Sequence, residues 1–113
     1  MALFGLGTTK QEACRQALEA SAAIIADLAH LSEELAAEIP APLRVAIGCH
    51  AGPAIVGAMG YGGVMGVTAI GDTVNIASRL EALTKSFGAE LVVSRRVADL
   101  AGRSLPHARR AEE

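Results

Sequence analysis

Aromatic residues are nearly missing from this chain of 113 residues: there are two Phe (Phe4 and Phe87), one Tyr (Tyr61) and no Trp. Proteins that grip single-stranded nucleic acid stack bases on such rings, so that class of binder is disfavoured. A strong excess of either charge is lacking too. The formal net charge is −2, which announces no polyanion-binding surface. Cysteine is limited to Cys14 and Cys49, one in a helical pattern and one in an apolar run. Two such thiols make neither a disulfide framework nor a CxxC motif, so reduced cysteines in a cytosolic setting are expected, serving packing. No apolar run reaches bilayer-spanning length. The opening Met1-Ala2-Leu3-Phe4-Gly5 has no basic stretch and no cleavage region, so a signal peptide is not expected. The expectation is a cytoplasmic segment without membrane contact of its own, whether free or part of a larger membrane-anchored protein.

What is present suits one small domain. Half the residues are apolar, enough for a core, although a chain of this size buries its surface only moderately well. Charge is unevenly placed. Up to Pro42 there are six acidic residues against Lys10 and Arg15, whereas from Ile76 onward there are seven basic and five acidic ones. Two solvated helix faces of different sign account for this.

Met1 to Phe4 reads as the tail of a strand, stopped by Gly5-Leu6-Gly7. Thr9-Lys10-Gln11-Glu12 is a capping box. Apolar residues then recur at spacings of three and four through Leu18, Ile24, Ile25, Leu28, Leu31 and Leu35, predicting a long helix to about Glu38. Pro40 and Pro42 end it. Leu43 to His50 reads as a strand and Pro53 to Ala58 as a second. Five glycines between Gly57 and Gly66 mark a hairpin tip around Tyr61, and Val64 to Ile70 returns as a third strand. A second helix opens at Asp72, its expected N-cap, with a stripe of Ile76, Leu80, Leu83 and Phe87 and Gly88 as its stop. Ala89 to Ser94 is a buried strand and Arg95 to Ala101 a short helix. A frayed polar tail is expected over residues 103–113. The order predicts an α+β domain with a largely antiparallel sheet covered by helices on one face.

Most candidate sites dissolve on inspection. Gly60, Gly62 and Gly63 are followed by Gly66, one residue too late for a dinucleotide fingerprint, and no Walker pattern follows. His50 beside Cys49 lacks the further ligands of a zinc site, and His30 and His107 stand far off, so His50 reads as structural. Ser78 has no nucleophile-elbow context. Asn75 and Arg79 are four apart, one above the other on the second helix, roughly 90° from its apolar stripe. They lie near a helix N-terminus, where anions are favoured. Arg offers a fork of donors suited to phosphate, and Asn a donor and an acceptor suited to a sugar. Spacing alone still favours the plainer reading, a surface Arg paired with a carboxylate and an Asn within a cap.

Two runs tip that balance: Leu43-Arg44-Val45-Ala46-Ile47-Gly48-Cys49-His50-Ala51-Gly52-Pro53, continued by Ile55-Val56-Gly57 and Gly60, and Ile70-Gly71-Asp72-Thr73-Val74-Asn75-Ile76-Ala77-Ser78-Arg79-Leu80-Glu81. In order and content they resemble the class III adenylate/guanylate cyclase catalytic domain. A weaker resemblance runs back to Met1, so residues 1–102 look like a partial catalytic domain. The resemblance implies a ferredoxin-like nucleotidyl cyclase fold, truncated at the N-terminus. It implies conversion of ATP to 3′,5′-cyclic AMP and pyrophosphate in cyclic nucleotide signalling, with two Mg²⁺ or Mn²⁺ ions in the complete domain. Asn75 would orient the ribose and Arg79 would stabilise charge on the α-phosphate. Thr68, seven residues before Asn75, matches the position that reads the purine and leans towards adenine.

The resemblance also implies that the two metal-binding aspartates and a purine-contacting Lys belong to a stretch before Met1. A polyphosphate-binding Lys or Arg belongs near or beyond the end. No residue present is assigned to metal. Family sites form between two protomers, so the expected partners are ATP and a second chain, as a homodimer or with a full-length cyclase. The isolated chain is expected to be inactive. The alternative is a non-enzymatic cyclase-like module for dimerisation or regulation.

Overall fold

The computed structural model describes residues 1–102, and the expected polar tail over residues 103–113 lies outside the described residues. The elements run α1 (Lys10–Glu34), β1 (Ile47–Cys49), β2 (Ile55–Tyr61), β3 (Val64–Ile70), α2 (Asp72–Phe87), β4 (Leu91–Val93) and α3 (Arg95–Ala101). The mixed α and β content matches the expected class. The expected strand tail at Met1–Phe4 does not form; Met1 and Phe4 are exposed, and no described strand lies alongside to pair with them.

Helix α1 starts where its cap predicts. Thr9 is extended, and its hydroxyl accepts from the Glu12 amide at 3.2 Å. Its buried residues, Ala13, Cys14, Ala17, Leu18 and Ser21, all lie in the first half. Ser21 is buried at no cost in unpaired groups, because its hydroxyl donates to the Ala17 carbonyl at 2.8 Å. In the second half Ile24 and Leu31 stay exposed. The helix stops at Glu34, short of the expected Glu38, in a turn where the Glu38 amide reaches the Leu35 carbonyl at 2.8 Å.

The sheet corrects the expectation twice. β1 pairs with β4 in parallel, Ile47 opposite Leu91, Gly48 opposite Val92 and Cys49 opposite Val93. β2 and β3 form a separate antiparallel hairpin with Ile55 opposite Ile70 and Tyr61 opposite Val64. A chain that leaves β1, makes the hairpin and α2, then returns as β4 is a crossover, and crossovers deliver parallel neighbours. The helices also flank the β1–β4 pair on both faces. A side chain on Gly48 would point into α2, at Ala77 and Glu81, whereas the next residue, Cys49, packs with Val93 against the cluster of Cys14, Leu18, Val97 and Ala101 from α1 and α3. Alternation along a strand sends those two positions to opposite sides. Val97, 1% exposed, is the centre of that core.

The hairpin turns in two residues, Gly62 (φ 63°) and Gly63 (φ 83°). Positive φ at both central positions is the geometry whose twist matches the flanking strands. The cap of helix α2 is Gly71, not the expected Asp72: Gly71 has φ 144° and makes no side-chain hydrogen bond, and Asp72 is the first helical residue. The helix ends, as expected, on left-handed Gly88, with the Ala89 amide reaching the Thr84 carbonyl at 3.0 Å. Ser94 caps α3 by accepting from the Val97 amide at 3.4 Å.

Candidate functional site

Helix α2 is fastened along one side and open along the other. Ile76, Leu80, Leu83 and Phe87 are half-buried and Thr84 is buried, whereas Asn75, Ser78 and Arg79 are exposed. At about 100° per residue Asn75 and Arg79 stand about 40° apart on the opening turns. Arg79 makes none of the ion pairs found among the described residues, which join Arg15 to Glu12, His30 to Glu34 and Arg95 to Asp99. The plainer reading of the sequence, Arg79 paired with a carboxylate, is therefore not what the fold provides. An exposed guanidinium and an amide are left side by side, facing outward.

Thr68 is half-buried on β3, opposite Gly57. It shares a strand face with Ile70 and the cross-strand Ile55, both exposed. Two residues after Thr68 the strand ends, and Gly71 turns the chain into α2, so one short stretch carries Thr68, Asn75 and Arg79. None of the three lines the cavity around His50 and Arg96 or the one around Ser32 and Glu90.

The nearer cavity, about 490 Å³, opens where the parallel strands end. Its lining includes His50 after β1, Asp72, Thr73 and Ile76 from the first turn of α2, and Arg96 from α3. His50 Nδ1 lies 2.8 Å from the Ser94 hydroxyl. Partial burial, aided by the nearby Arg96 charge, pushes the His50 pKa below its usual value and keeps the ring neutral at pH 7. The sequence reading of His50 as structural agrees with this bond, although neither Ser94 nor Arg96 could have been named as its neighbour from spacing. Burial raises the pKa of both Cys14 and Cys49, so these thiols stay protonated and are poor nucleophiles.

A metal finds little here. Among the described residues no three of His, Cys, Asp and Glu come together as a ligand group. Asp72 is exposed at the cavity rim, and a two-metal centre needs several carboxylate oxygens converging. No helix among the described residues is long and apolar enough to cross a membrane.

Thr73 carries no mark in the sequence that singles it out. Its hydroxyl donates to the Pro53 carbonyl at 2.6 Å, tying the first turn of α2 to the segment that leaves β1. The partner lies twenty residues away, beyond any local pattern.

Residues 1–109 match the family described as the adenylate and guanylate cyclase catalytic domain. Among characterised proteins, the chain is similar to an adenylate cyclase of Anabaena cylindrica, 40% identical over 55 residues, which are 49% of this chain and 11% of that protein. It is also similar to adenylate cyclase 1 of Rhizobium meliloti (strain 1021), 38% identical over 84 residues, 74% of this chain and 12% of that protein. The chain thus spans a small fraction of the length of these relatives. No solved structure gives a significant match.

Proposed function

The chain belongs to the adenylate and guanylate cyclase catalytic domain family, and we propose that it contributes the ribose- and phosphate-handling half of an adenylate cyclase site. The observation that carries this reading is the outward-facing pair of Asn75 and Arg79, exposed on the opening turns of α2. The reaction is closure of ATP to 3′,5′-cyclic AMP with release of pyrophosphate. Asn75 orients the ribose through its amide, which both donates and accepts. Arg79 lays a permanent charge and paired N–H groups against the α-phosphate, where negative charge builds up as the ring closes. Thr68 meets the purine edge with a hydroxyl, and the names of the two relatives, both adenylate cyclases, support adenine as the base.

Mg²⁺ or Mn²⁺ supplies charge neutralisation and nucleophile activation in this family. The described residues do not fit such a centre, so the carboxylates that would hold it belong to another segment or another chain. The site is then shared: a second protomer faces Asn75 and Arg79 and supplies the other half. The isolated chain is expected to be silent.

The test mixes this chain with a full-length cyclase that lacks its own Asn and Arg. Cyclic AMP should appear in the mixture, and an Arg79→Ala chain should lower the rate by about 100-fold or more, the usual scale for losing a charge-stabilising donor. Equal rates with the wild-type and Arg79→Ala chains would end the proposal. A second reading, a non-enzymatic module that dimerises with or regulates a cyclase, is favoured by the exposed Ile55, Val67 and Ile70 on the hairpin. It would show as a change in the activity of an intact cyclase that Arg79→Ala leaves untouched.

A further inference from the structure

The face that Asn75 and Arg79 present depends on how the start of α2 is held, and its own backbone supplies only part of that hold, the Val74 and Asn75 amides reaching the Gly71 carbonyl at 3.1 and 3.4 Å. Its N-cap is Gly71, which offers no side-chain acceptor. The first turn is instead tied down by Thr73, whose hydroxyl donates to the Pro53 carbonyl at 2.6 Å. Proline offers only a carbonyl at this point, so the proton must come from Thr73. The two segments are pressed together there: a Cβ on Gly52 would sit 2.6 Å from the Thr73 Oγ1. The Pro53 end of this clamp is itself anchored. Three residues earlier His50 is bonded to Ser94, and the Ser94 amide donates to the Cys49 carbonyl at 3.0 Å. Cys49 packs on the core cluster around Val97. A continuous path therefore runs from the core through residues 49–53 to Thr73.

We infer that Thr73 is a positioning residue, which sets the direction of Asn75 and Arg79 by locking the first turn of α2 to the segment between β1 and β2. The inference rests on the cyclase reading above and adds to it the residue that aims the pair. Residues two apart on a helix point about 200° apart, so Thr73 can be fastened inward while Asn75 looks out. Catalysis by positioning is sensitive to shifts on the scale that loss of such a tie allows.

Two variants separate the bond from the shape. Thr73→Val keeps the branched outline and loses the donor, and Thr73→Ser keeps the donor. In the mixed assay with the Asn- and Arg-deficient cyclase, Thr73→Val should lower kcat by about 100-fold while the KM for ATP changes less than about threefold. Thr73→Ser should recover most of the rate. Amide hydrogen exchange on the chain alone provides a readout independent of activity. Thr73→Val should speed exchange at Ile76 and Ala77 by roughly fivefold, the worth of one hydrogen bond, and leave Cys49 and Val97 protected.

An unchanged kcat in Thr73→Val, a change in KM alone, or failure of Ser to do better than Val would overturn the inference. So would loss of protection at Cys49 and Val97, which would make Thr73 a residue of general stability. A silent wild-type mixture would instead bring down the proposed function. Thr73 would then be judged by exchange alone, and unaltered rates at Ile76 and Ala77 would dismiss it.

Discussion

A methyl group on Gly48 would fall on the Ala77 carbonyl oxygen and the Glu81 amide nitrogen, with the Glu81 Cα 2.9 Å away. All three are backbone atoms of α2, which cannot swing aside as the end of a side chain can. Gly48 is therefore glycine because strand and helix touch there, not because of a special φ. Gly48→Ala should destabilise the chain by about 1–3 kcal/mol, the range for forcing extra volume into a packed contact. Gly57 is the control: a Cβ there meets nothing within 4 Å, and Gly57→Ala should lie within about 0.5 kcal/mol of wild type. Urea midpoints of the two variants would decide the matter. A Gly48→Ala midpoint equal to that of Gly57→Ala would show that β1 does not press on α2.

Among the elements, α3 is short and depends on its cap. Ser94 accepts from the Val97 amide and is also bonded to His50. Thr9 caps α1 through a single exposed bond. Ser94→Ala should cost about 1–2 kcal/mol and Thr9→Ala about 0.5–1 kcal/mol, the upper and lower parts of the range for cap removal. Thermal unfolding of both variants would check the order. The elements also show what a sequence can disclose. The start of β3 and the course and stop of α2 follow from local marks, namely the hairpin glycines at 62–63, Gly88 and the period of Ile76, Leu80, Leu83 and Phe87. The outward face of Asn75 and Arg79 follows from the same period. The pairing of β1 with β4 does not, because the partner of Ile47 is Leu91, forty-four positions on, and nothing near either announces it. The strand expected from Leu43 shrinks to Ile47–Cys49 for that reason: β4 offers only three residues to pair with. The tie from Thr73 to Pro53 was hidden in the same way.

At the scale of the molecule, the hairpin and the β1–β4 pair are two sheets, not one. Among the described residues of the hairpin Ala69 is buried, 6% exposed, while Ile55, Val67 and Ile70 are 76%, 61% and 57% exposed. Exposed apolar groups on a strand pair invite a neighbouring chain. The shared-site reading predicts that the chain self-associates through this arm. A chain carrying Ile55→Lys and Ile70→Lys should sediment as a smaller species than wild type at equal concentration, with its unfolding free energy changed by no more than about 0.5 kcal/mol per site. Identical sedimentation would place any association elsewhere. The separation has a further effect on how such a chain can vary over time. Residues that keep the body folded, around Val97, and the exposed apolar residues of the arm are different sets, so substitutions can accumulate on the arm while the scaffold that carries Asn75 and Arg79 stays as it is.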